Sequence, residues 1–331
     1  MIKRIQRLFY LAVIAVLAVG ASLSWYALAP MATPGGYPQS FDVPRGMSLR
    51  ALAADLARQG VLTRPWSFTQ LGRLRGAERQ IKAGSYSLER PVTPLELLRK
   101  LTAGETDLAR LTVVEGWTFH DMRAAIDELP DLRHDTAALS DRDLLAALGA
   151  GGSAEGRFFP DTYYFDKRGS DLALYQRAFA AMRKRMLAAS ETRAPDLPYA
   201  DMDQALVMAS IVEKETGAPD ERPMIAGVFV NRLRIGMRLQ TDPTVIYGLG
   251  ERYDGHIHKR DLERDSPWNT YTRDGLPPTP IALPGEAALR AATNPARTKA
   301  LYFVSMNNGR HVFSDNLDAH NRAVARYQLR Q

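Results

Sequence analysis

The stretch Ala209-Ser-Ile-Val-Glu-Lys-Glu-Thr216 ends a longer run, residues 202–216, whose spacing predicts a single helix. With successive residues about 100° apart around the helix axis, Glu215 lies near the middle of an apolar stripe and Glu213 points well away from it. A carboxyl group on an apolar helix face is costly unless it is paired or protonated. A protonated carboxyl with a raised pKa suits a general acid near neutral pH. The alternative is a glutamate at a wet helix end, and spacing alone does not separate the two. The stripe is formed by Ala205, Met208, Ile211 and Val212.

The composition limits the classes of function. A chain of 331 residues can bury a full core and has room for two or more units. It has no cysteine, which excludes disulfides and thiolate metal sites. The net charge of +6 is modest, and three of the basic residues lie beside the first hydrophobic run. The charge therefore favours an acidic surface or polymer as a partner and indicates no nucleic-acid-binding stripe.

The N-terminal region reads as a membrane anchor. Residues 8–28 contain no charged side chain and are long enough to cross a bilayer. The basic residues Lys3, Arg4 and Arg7 predict that residues 1–7 remain cytoplasmic. A cleaved signal peptide is the alternative, because Ala27-Leu-Ala29 resembles a cleavage site. The apolar run exceeds a usual signal core and Pro30 would follow the cut, so we favour a retained anchor with the rest of the chain outside the cytoplasm.

Two short βα units follow a tether at 29–40, which is rich in proline and glycine. The first unit pairs a strand at 41–43 with a helix capped by Ser48. Further on, 81–88 alternates like a strand, and Thr93 with Glu96 has the spacing of a capping box. At an offset of 70 residues, Gly46-Met-Ser-Leu matches Gly116-Trp-Thr-Phe, where Thr118 and Asp121 repeat the capping pattern. The arrangement resembles the LysM fold, a small glycan-binding module, over residues 41–108.

The C-terminal part, 109–331, is predicted to mix helices with few strands. The stretch 155–165 is rich in aromatic residues and is either a buried strand or a wall facing a sugar. Residues 275–281 contain three prolines, which predicts a rigid extended segment suited to a groove wall. Residues 301–305 and 311–314 pair naturally across Asn308-Gly309 as a hairpin, followed by a helix that carries His320 and is capped by Asp315 or Asn316.

The sequence favours catalysis by a carboxyl group, because it lacks the motifs of the other reaction types considered. The six histidines show no His-Glu-x-x-His pattern, and no nucleophile elbow, phosphate-binding loop or dinucleotide fingerprint is present. The sequence predicts neither a metal nor an organic cofactor. Carboxylates, aromatic residues and polar loop residues together suit cleavage of a glycosidic bond, in which an acid protonates the leaving oxygen.

Several long motifs resemble the YceG-like family, in the same order and over essentially the whole chain. They are the stretch 209–216, the segment 230–248, Asn269-Thr-Tyr271 with Gly275-Leu-Pro-Pro278, and the region from Tyr302-Phe-Val304 through His320-Asn321. The resemblance implies an α+β protein with an inner-membrane anchor, a LysM-like βα subdomain and a periplasmic catalytic domain with a helix-borne glutamate. It further implies a peptidoglycan lytic transglycosylase that cuts within nascent strands and ends glycan elongation, with peptidoglycan synthases as candidate partners.

The family's catalytic glutamate is the second of the Glu-Lys-Glu motif, which matches Glu215, the residue that the helical spacing also selects. The resemblance offers further motif positions that would line a substrate groove, although each could equally be structural: Glu213, Gln240, Asn269, Tyr271 and His320. Two alternatives remain open, a muramidase that uses water as the nucleophile and a peptidoglycan-binding scaffold without activity.

Overall fold

The structure is a computed structural model that describes residues 2–31, 33, 36–44 and 46–329. It divides into two compact units, and their mixture of helices and short strands confirms the predicted α+β class. Unit 1 takes the described residues up to Ala109 together with Asp131–Arg133 and Tyr164–Gly169. Unit 2 takes Arg110–Pro130, His134–Tyr163 and the described residues from Ser170 onward. Parts of the predicted segments lie outside the described residues, namely Met1 of the N-terminus, Ala32, Pro34 and Gly35 of the tether, Arg45, Arg330 and Gln331.

Unit 1 contains a two-stranded antiparallel sheet and several helices around one core. In chain order its elements are α1 (Ile2–Leu28), β1 (Gln39–Val43), α2 (Leu49–Arg58), α3 (Pro65–Leu74), β2 (Gly84–Leu88) and α4 (Pro94–Ala103). Strand β1 pairs with β2 in a register that places Phe41 opposite Tyr86, and the two rings stack at 5.7 Å between centroids. Cross-strand aromatic pairs of this kind stabilise a short sheet that has only two strands.

The helix starts of unit 1 follow the predicted capping chemistry. The Ser48 hydroxyl accepts the N–H of Ala51, and Thr93 and Glu96 form a reciprocal capping box. Both caps are confirmed. They could be predicted from the sequence because a cap depends on residues only three positions apart. Gly46 and Gly116, the matched glycines of the repeat, both have positive φ, 77° and 81°, which explains glycine at both turns.

Helix α1 combines a membrane-length segment with a buried end. Its segment Gln6–Leu28 has a mean hydropathy of 2.1 and is long and apolar enough to cross a bilayer. The last turn, however, belongs to the core of unit 1, where Ala27 is 6% exposed. The chain beyond it is also held, since the Met31 N–H donates to the Val92 carbonyl at 2.8 Å and β1 already begins at Gln39.

Strands β3 (Leu108–Thr112) and β4 (Thr162–Asp166) pair with each other, and the division between the units falls within both. The other elements of unit 2 are α5 (Phe119–Asp127), α6 (Asp141–Ala147), α7 (Asp171–Glu191), α8 (Met202–Glu215), α9 (Arg222–Arg234), α10 (Asp242–Leu249), α11 (Lys259–Glu263), α12 (Glu286–Thr293), β5 (Tyr302–Ser305), β6 (His311–Ser314) and α13 (Leu317–Tyr327). The structure confirms the helix predicted at residues 202–216, the hairpin across Asn308-Gly309 and the N-cap at Asn316.

Helix α8 is the centre of the unit 2 core. Every residue from 205 to 213 is buried, and α8 packs against α9, α12 and α7. Its apolar neighbours include Phe229 of α9 and Leu289 of α12. Because side chains surround α8 on all sides, its C-terminal end is held firmly in place.

The aromatic stretch 155–165 belongs mainly to the core. The strand covers only its end, β4, and Phe158 is fully buried against Phe119 at 4.9 Å and Tyr175 at 5.7 Å between ring centroids. The alternative that these rings form a wall facing a sugar is therefore wrong for Phe158. Tyr164 does reach the surface, with 55% of its area exposed.

Candidate active site

Glu215 is the last residue of α8 and is half-buried as a residue. The Thr241 hydroxyl donates a hydrogen bond to Glu215 Oε1. Burial raises the pKa of Glu215 to about 7, although the hydrogen bond from Thr241 opposes that shift. The nearby Asp242 carboxylate also raises the pKa of Glu215. A large fraction of Glu215 is therefore protonated near neutral pH, as a general acid requires.

Glu213, which the helical spacing places away from the apolar stripe, lies in the protein interior. It is 9% exposed, and its carboxylate accepts the Arg222 Nη2–H at 2.7 Å and the Gly285 N–H at 2.8 Å. Because every residue from 205 to 213 is buried, a position away from the stripe also lies inside the protein. The pair joins the end of α8 to the starts of α9 and α12, which fixes the backbone that carries Glu215.

A cleft of about 520 Å³ opens beside Glu215. It is bounded by the segment before α10, the β5–β6 hairpin and one face of α13. Three of the predicted groove residues, Gln240, Tyr271 and His320, lie in this cleft with Glu215, whereas Glu213 and Asn269 do not. The remaining lining residues are Arg232, Asp242, Tyr302, Phe303, Val304, Ser305, His311, Leu317, Asn321, Val324 and Gln328.

Gln240 occupies an unusual backbone conformation at the edge of the cleft. Its φ is +47°, in the left-handed region that residues other than glycine rarely adopt. Its N–H donates to the Thr270 carbonyl at 3.1 Å, which holds the strained conformation in place. Strain of this kind is retained where the surrounding structure compensates for it, often at functional sites.

Tyr271 and Asn269 have connected but different roles. The Tyr271 hydroxyl donates to Asp242 Oδ1 at 2.5 Å inside the cleft, and burial raises the pKa of Tyr271. Asn269 is 1% exposed, and its amide donates to three carbonyls at the end of α11 while its Oδ1 accepts the Tyr271 N–H at 2.8 Å. Asn269 therefore supports the loop behind Tyr271 and does not face the cleft.

Two histidines line the cleft in different environments. The His320 ring stacks on Tyr302 with 5.1 Å between centroids, and burial, together with Arg232, lowers the pKa of His320. The Nδ1 atom of His311 lies 2.8 Å from Glu221 Oε2, and the side chain of Glu221 is 9% exposed. A carboxylate at Nδ1 orients an imidazole and fixes its tautomer. His311 is thus held rigidly beside Glu215.

Arg232 donates hydrogen bonds to two loop carbonyls and also lines the cleft. Its Nε–H donates to the Leu301 carbonyl at 2.7 Å and an Nη1–H to the Leu239 carbonyl at 2.6 Å. Its guanidinium also lies 5.4 Å from the centroid of the Tyr302 ring. Arg232 therefore ties α9 to the segments before α10 and β5 and also lines the cleft.

Sequence reasoning missed Thr241 and His311 as members of the site. Thr241 stands in the Gln-Thr-Asp-Pro segment that carries the family resemblance, so proximity to Gln240 was an available signal. His311 also lies in a region that carries the resemblance, but its orienting partner Glu221 is 90 residues away in the chain and could not be paired with it from the sequence.

The proline segment forms the wall of a different cavity. Gly275–Pro280 lines a cleft of about 660 Å³ near the N-terminal end of α8, together with Arg157 and Asp203. That cleft is larger than the one beside Glu215, but Arg157 and Asp203 already pair with each other at 3.0 Å. The prediction of a groove wall thus applies to a cavity that does not contain Glu215.

The chemistry available beside Glu215 is proton transfer to and from oxygen. Burial also raises the pKa of Glu155 to about 7, but this carboxyl is enclosed by the Phe119 N–H and the Tyr247 hydroxyl and does not line the cleft. Among residues 2–31, 33, 36–44 and 46–329, no group of three or more histidine, aspartate or glutamate side chains is arranged to hold a metal ion. Glu215 is therefore the best-placed general acid of the cleft.

The chain is similar to several known proteins of one family. The sequence model of the YceG-like family matches residues 41–326. An endolytic murein transglycosylase of Bacillus subtilis is 34% identical over 308 residues, covering 87% of this chain and 84% of the relative. A protein of the same name from Streptococcus pneumoniae R6 is 28% identical over 320 residues, 86% of this chain but only 57% of the relative. The crystal structure of a YceG-like protein of Listeria monocytogenes has a TM-score of 0.55 and 28% identity, covering 86% of this chain and 98% of that structure. From the extent of these matches, this chain belongs to the YceG-like family.

Proposed function

We propose that this chain is a peptidoglycan lytic transglycosylase that cuts within nascent glycan strands. The observation that carries the proposal is Glu215, a carboxyl group with a pKa of about 7 at the edge of an open cleft. The relatives from Bacillus subtilis and Streptococcus pneumoniae bear the name endolytic murein transglycosylase, which supports this class of activity and peptidoglycan as the substrate.

The proposed reaction uses one carboxyl group twice. Protonated Glu215 donates its proton to the oxygen that joins C1 of N-acetylmuramic acid to N-acetylglucosamine, and the C1–O bond breaks. The resulting carboxylate accepts the proton of the C6 hydroxyl of the same muramic acid, whose oxygen then bonds to C1. The products are a free N-acetylglucosamine hydroxyl and a 1,6-anhydro end, and Glu215 is protonated again. Because the nucleophile belongs to the substrate, activation of water is not required.

Three predicted binding residues remain in the proposed site. Gln240, Tyr271 and His320 line the cleft, where an amide, a hydroxyl and an imidazole suit the polar groups of amino sugars. Glu213 and Asn269 are assigned supporting positions instead, because their side chains are occupied by Arg222 and by backbone carbonyls. We assign them no direct contact with substrate.

The remaining regions take roles that follow from the anchor and the family. We assign residues 1–7 to the cytoplasm, 8–28 to the inner membrane, and 41–108 and 109–331 to a LysM-like subdomain and a catalytic domain in the periplasm. The buried end of α1 supports a retained anchor over a cleaved signal, since cleavage after Ala29 would remove Ala27 from the unit 1 core. Termination of glycan elongation, together with a peptidoglycan synthase, would follow from cutting a strand while it is being made.

A hydrolytic muramidase is the second candidate, and one observation favours it. Asp242 provides a second carboxylate in the cleft, where it accepts a hydrogen bond from Tyr271. A carboxylate in that position could activate water and leave a reducing sugar. The two candidates thus predict different ends on the product strands.

Product analysis separates the candidates. Purified full-length protein in detergent is incubated with uncrosslinked glycan strands, and the products are measured by mass spectrometry. Anhydro ends, lighter than reducing ends by one water, are expected with the unchanged chain and should be absent with Glu215→Gln. Reducing ends alone would establish the muramidase. Binding without cleavage by the unchanged chain would establish the third alternative, a scaffold.

A further inference from the structure

The outer end of α1 is fixed to the start of α3. The Tyr26 hydroxyl donates to the Arg64 carbonyl at 3.3 Å, and Tyr26 is 9% exposed. Arg64 is the residue immediately before Pro65, where α3 begins. Since the membrane-length segment of α1 ends at Leu28, this hydrogen bond lies within one helical turn of that end. The start of α3 is therefore held at the level where the apolar segment ends.

Trp66 lies near the end of the membrane-length segment, and its side chain is exposed. It is the second residue of α3, two positions after Arg64, and 67% of its area is exposed. Trp25, in the last turns of α1, is 69% exposed. Exposed tryptophans are uncommon on water-facing surfaces and are enriched where hydrocarbon meets lipid head groups. Two of them near the end of one membrane-length helix indicate the same boundary.

The face of α3 that carries Trp66 is basic. Arg73 follows Trp66 by seven residues, so about two turns of helix return it to the same side. A shallow groove of about 350 Å³ separates this face from α2, where Arg50 lines the opposite wall. Arg73 pairs with Glu78 at 2.9 Å, while Arg50 has no carboxylate partner among the residues described. We name this surface the Trp66 face, and it consists of Arg50, Ala54, Pro65, Trp66, Thr69, Gln70 and Arg73.

We propose that the Trp66 face lies on the head groups of the same bilayer that α1 spans. Trp66 enters the interface, and Arg50 and Arg73 bind lipid phosphates. The inference rests on the proposed membrane anchor and goes beyond it, because it makes unit 1 a membrane-bound platform at the outer leaflet. A lipid surface is favoured over a glycan strand because the face continues directly from the end of α1 through the Tyr26–Arg64 contact.

The lack of cysteine makes a direct test simple. Single-cysteine variants of the full chain, W66C, V19C and L108C, are labelled with a small fluorophore and placed in lipid nanodiscs. The nanodiscs carry a nitroxide quencher either on the head group or in the middle of the acyl chain. Val19 lies within α1, and Leu108 is an exposed residue of unit 1 on β3, after the end of α4. These two sites report on insertion of α1 and on a water-facing surface.

The expected pattern distinguishes the proposal from its premise. The label at 66 should be quenched several-fold more by the head-group nitroxide than the label at 108, while the label at 19 responds to the acyl-chain nitroxide. Quenching at 19 without quenching at 66 would overturn the membrane-facing role of the Trp66 face and leave the anchor intact. Lack of quenching at 19 would overturn the anchor itself. A label at 66 that responds to soluble glycan strands and not to lipid nitroxides would replace lipid by glycan as the partner.

Charge-neutral variants test the arginines independently. In the W66C background, Arg50→Gln with Arg73→Gln should reduce head-group quenching in nanodiscs that contain anionic lipid, and the reduction should be smaller in zwitterionic nanodiscs. Equal quenching with and without the arginines would contradict their binding to phosphates.

Discussion

Replacing Glu215 with glutamine should abolish cleavage and, at the same time, stabilise the protein above neutral pH. The neutral amide keeps an oxygen that can accept the Thr241 hydroxyl, so the local packing is preserved. It removes the cost of holding a carboxylate in a poorly solvated position. A catalytic group kept at such a cost is a source of instability, and its removal commonly increases stability.

The magnitude and its pH dependence follow from the pKa. Burial raises the pKa of Glu215 in the folded protein to about 7, against an ordinary 4.5. Below 4.5 both folded and unfolded chains hold the proton, so Glu215 contributes nothing to the free energy of unfolding. Between the two values the unfolded chain binds fewer protons, so stability falls as pH rises. Above about 7 the full penalty is present, and at about 1.4 kcal/mol per pH unit it amounts to about 3 kcal/mol. Because part of the Glu215 side chain reaches the open cleft, we expect solvent screening to reduce the gain to about 1–3 kcal/mol.

Chemical unfolding of the full chain in detergent micelles, at about pH 4 and about pH 8.5, measures this gain. Glu215→Gln should be more stable than the unchanged chain at the higher pH and equal to it at the lower. Glu251→Gln, which changes an exposed glutamate, serves as the control and should have no effect at either pH. Equal stability of Glu215→Gln and the unchanged chain at high pH would refute the argument, as would a gain of the same size at both pH values.

Three further variants test the surroundings of Glu215. Because the Thr241 hydroxyl lowers the pKa of Glu215, Thr241→Val should move the alkaline midpoint of kcat/KM upward by about one pH unit; a pH–rate profile with no shift or a downward one contradicts this. Glu213→Gln removes the nearer carboxylate of buried Arg222 and leaves only Glu115, at 3.8 Å, so it should lower the free energy of unfolding by about 3 kcal/mol, while adding Arg222→Met should restore most of it. Asn269→Ala loses hydrogen bonds to three carbonyls and should cost about 2–3 kcal/mol in chemical unfolding; an unchanged midpoint would show that water replaces those bonds.

Local features of the fold were predictable because they depend on neighbours in sequence. The capping pairs Thr93–Glu96 and Thr118–Asp121 each span three residues, and both form as expected. The hairpin across Asn308-Gly309 and the N-cap at Asn316 follow the same logic. In each case the favourable interaction is complete within one turn, and distant packing does not alter it.

The orientation of side chains around α8 was only partly predictable. The helical spacing placed Glu215 on an apolar stripe and Glu213 away from it, but it did not predict whether the far side of the helix is buried. Helix α8 is instead enclosed on all sides, so Glu213 is buried beside Arg222 while Glu215 reaches the edge of the cleft. The helical spacing selected Glu215 as the candidate acid. Its position at the edge of the cleft, however, depends on the packing around α8 and not on the apolar stripe alone.

The sequence by itself determined that a helix ends in Glu-Lys-Glu, that Glu215 is its candidate acid, and that the chain begins with a membrane-length apolar run. Only the tertiary structure decided what surrounds that acid. The Thr241 hydroxyl comes from 26 residues further along the chain, and His311 is oriented by Glu221 from 90 residues away. Helix formation depends on contacts within about four residues, whereas the pKa of a carboxyl depends on every group that packs around it. For that reason the candidate acid could be selected from the sequence, and its pKa could not.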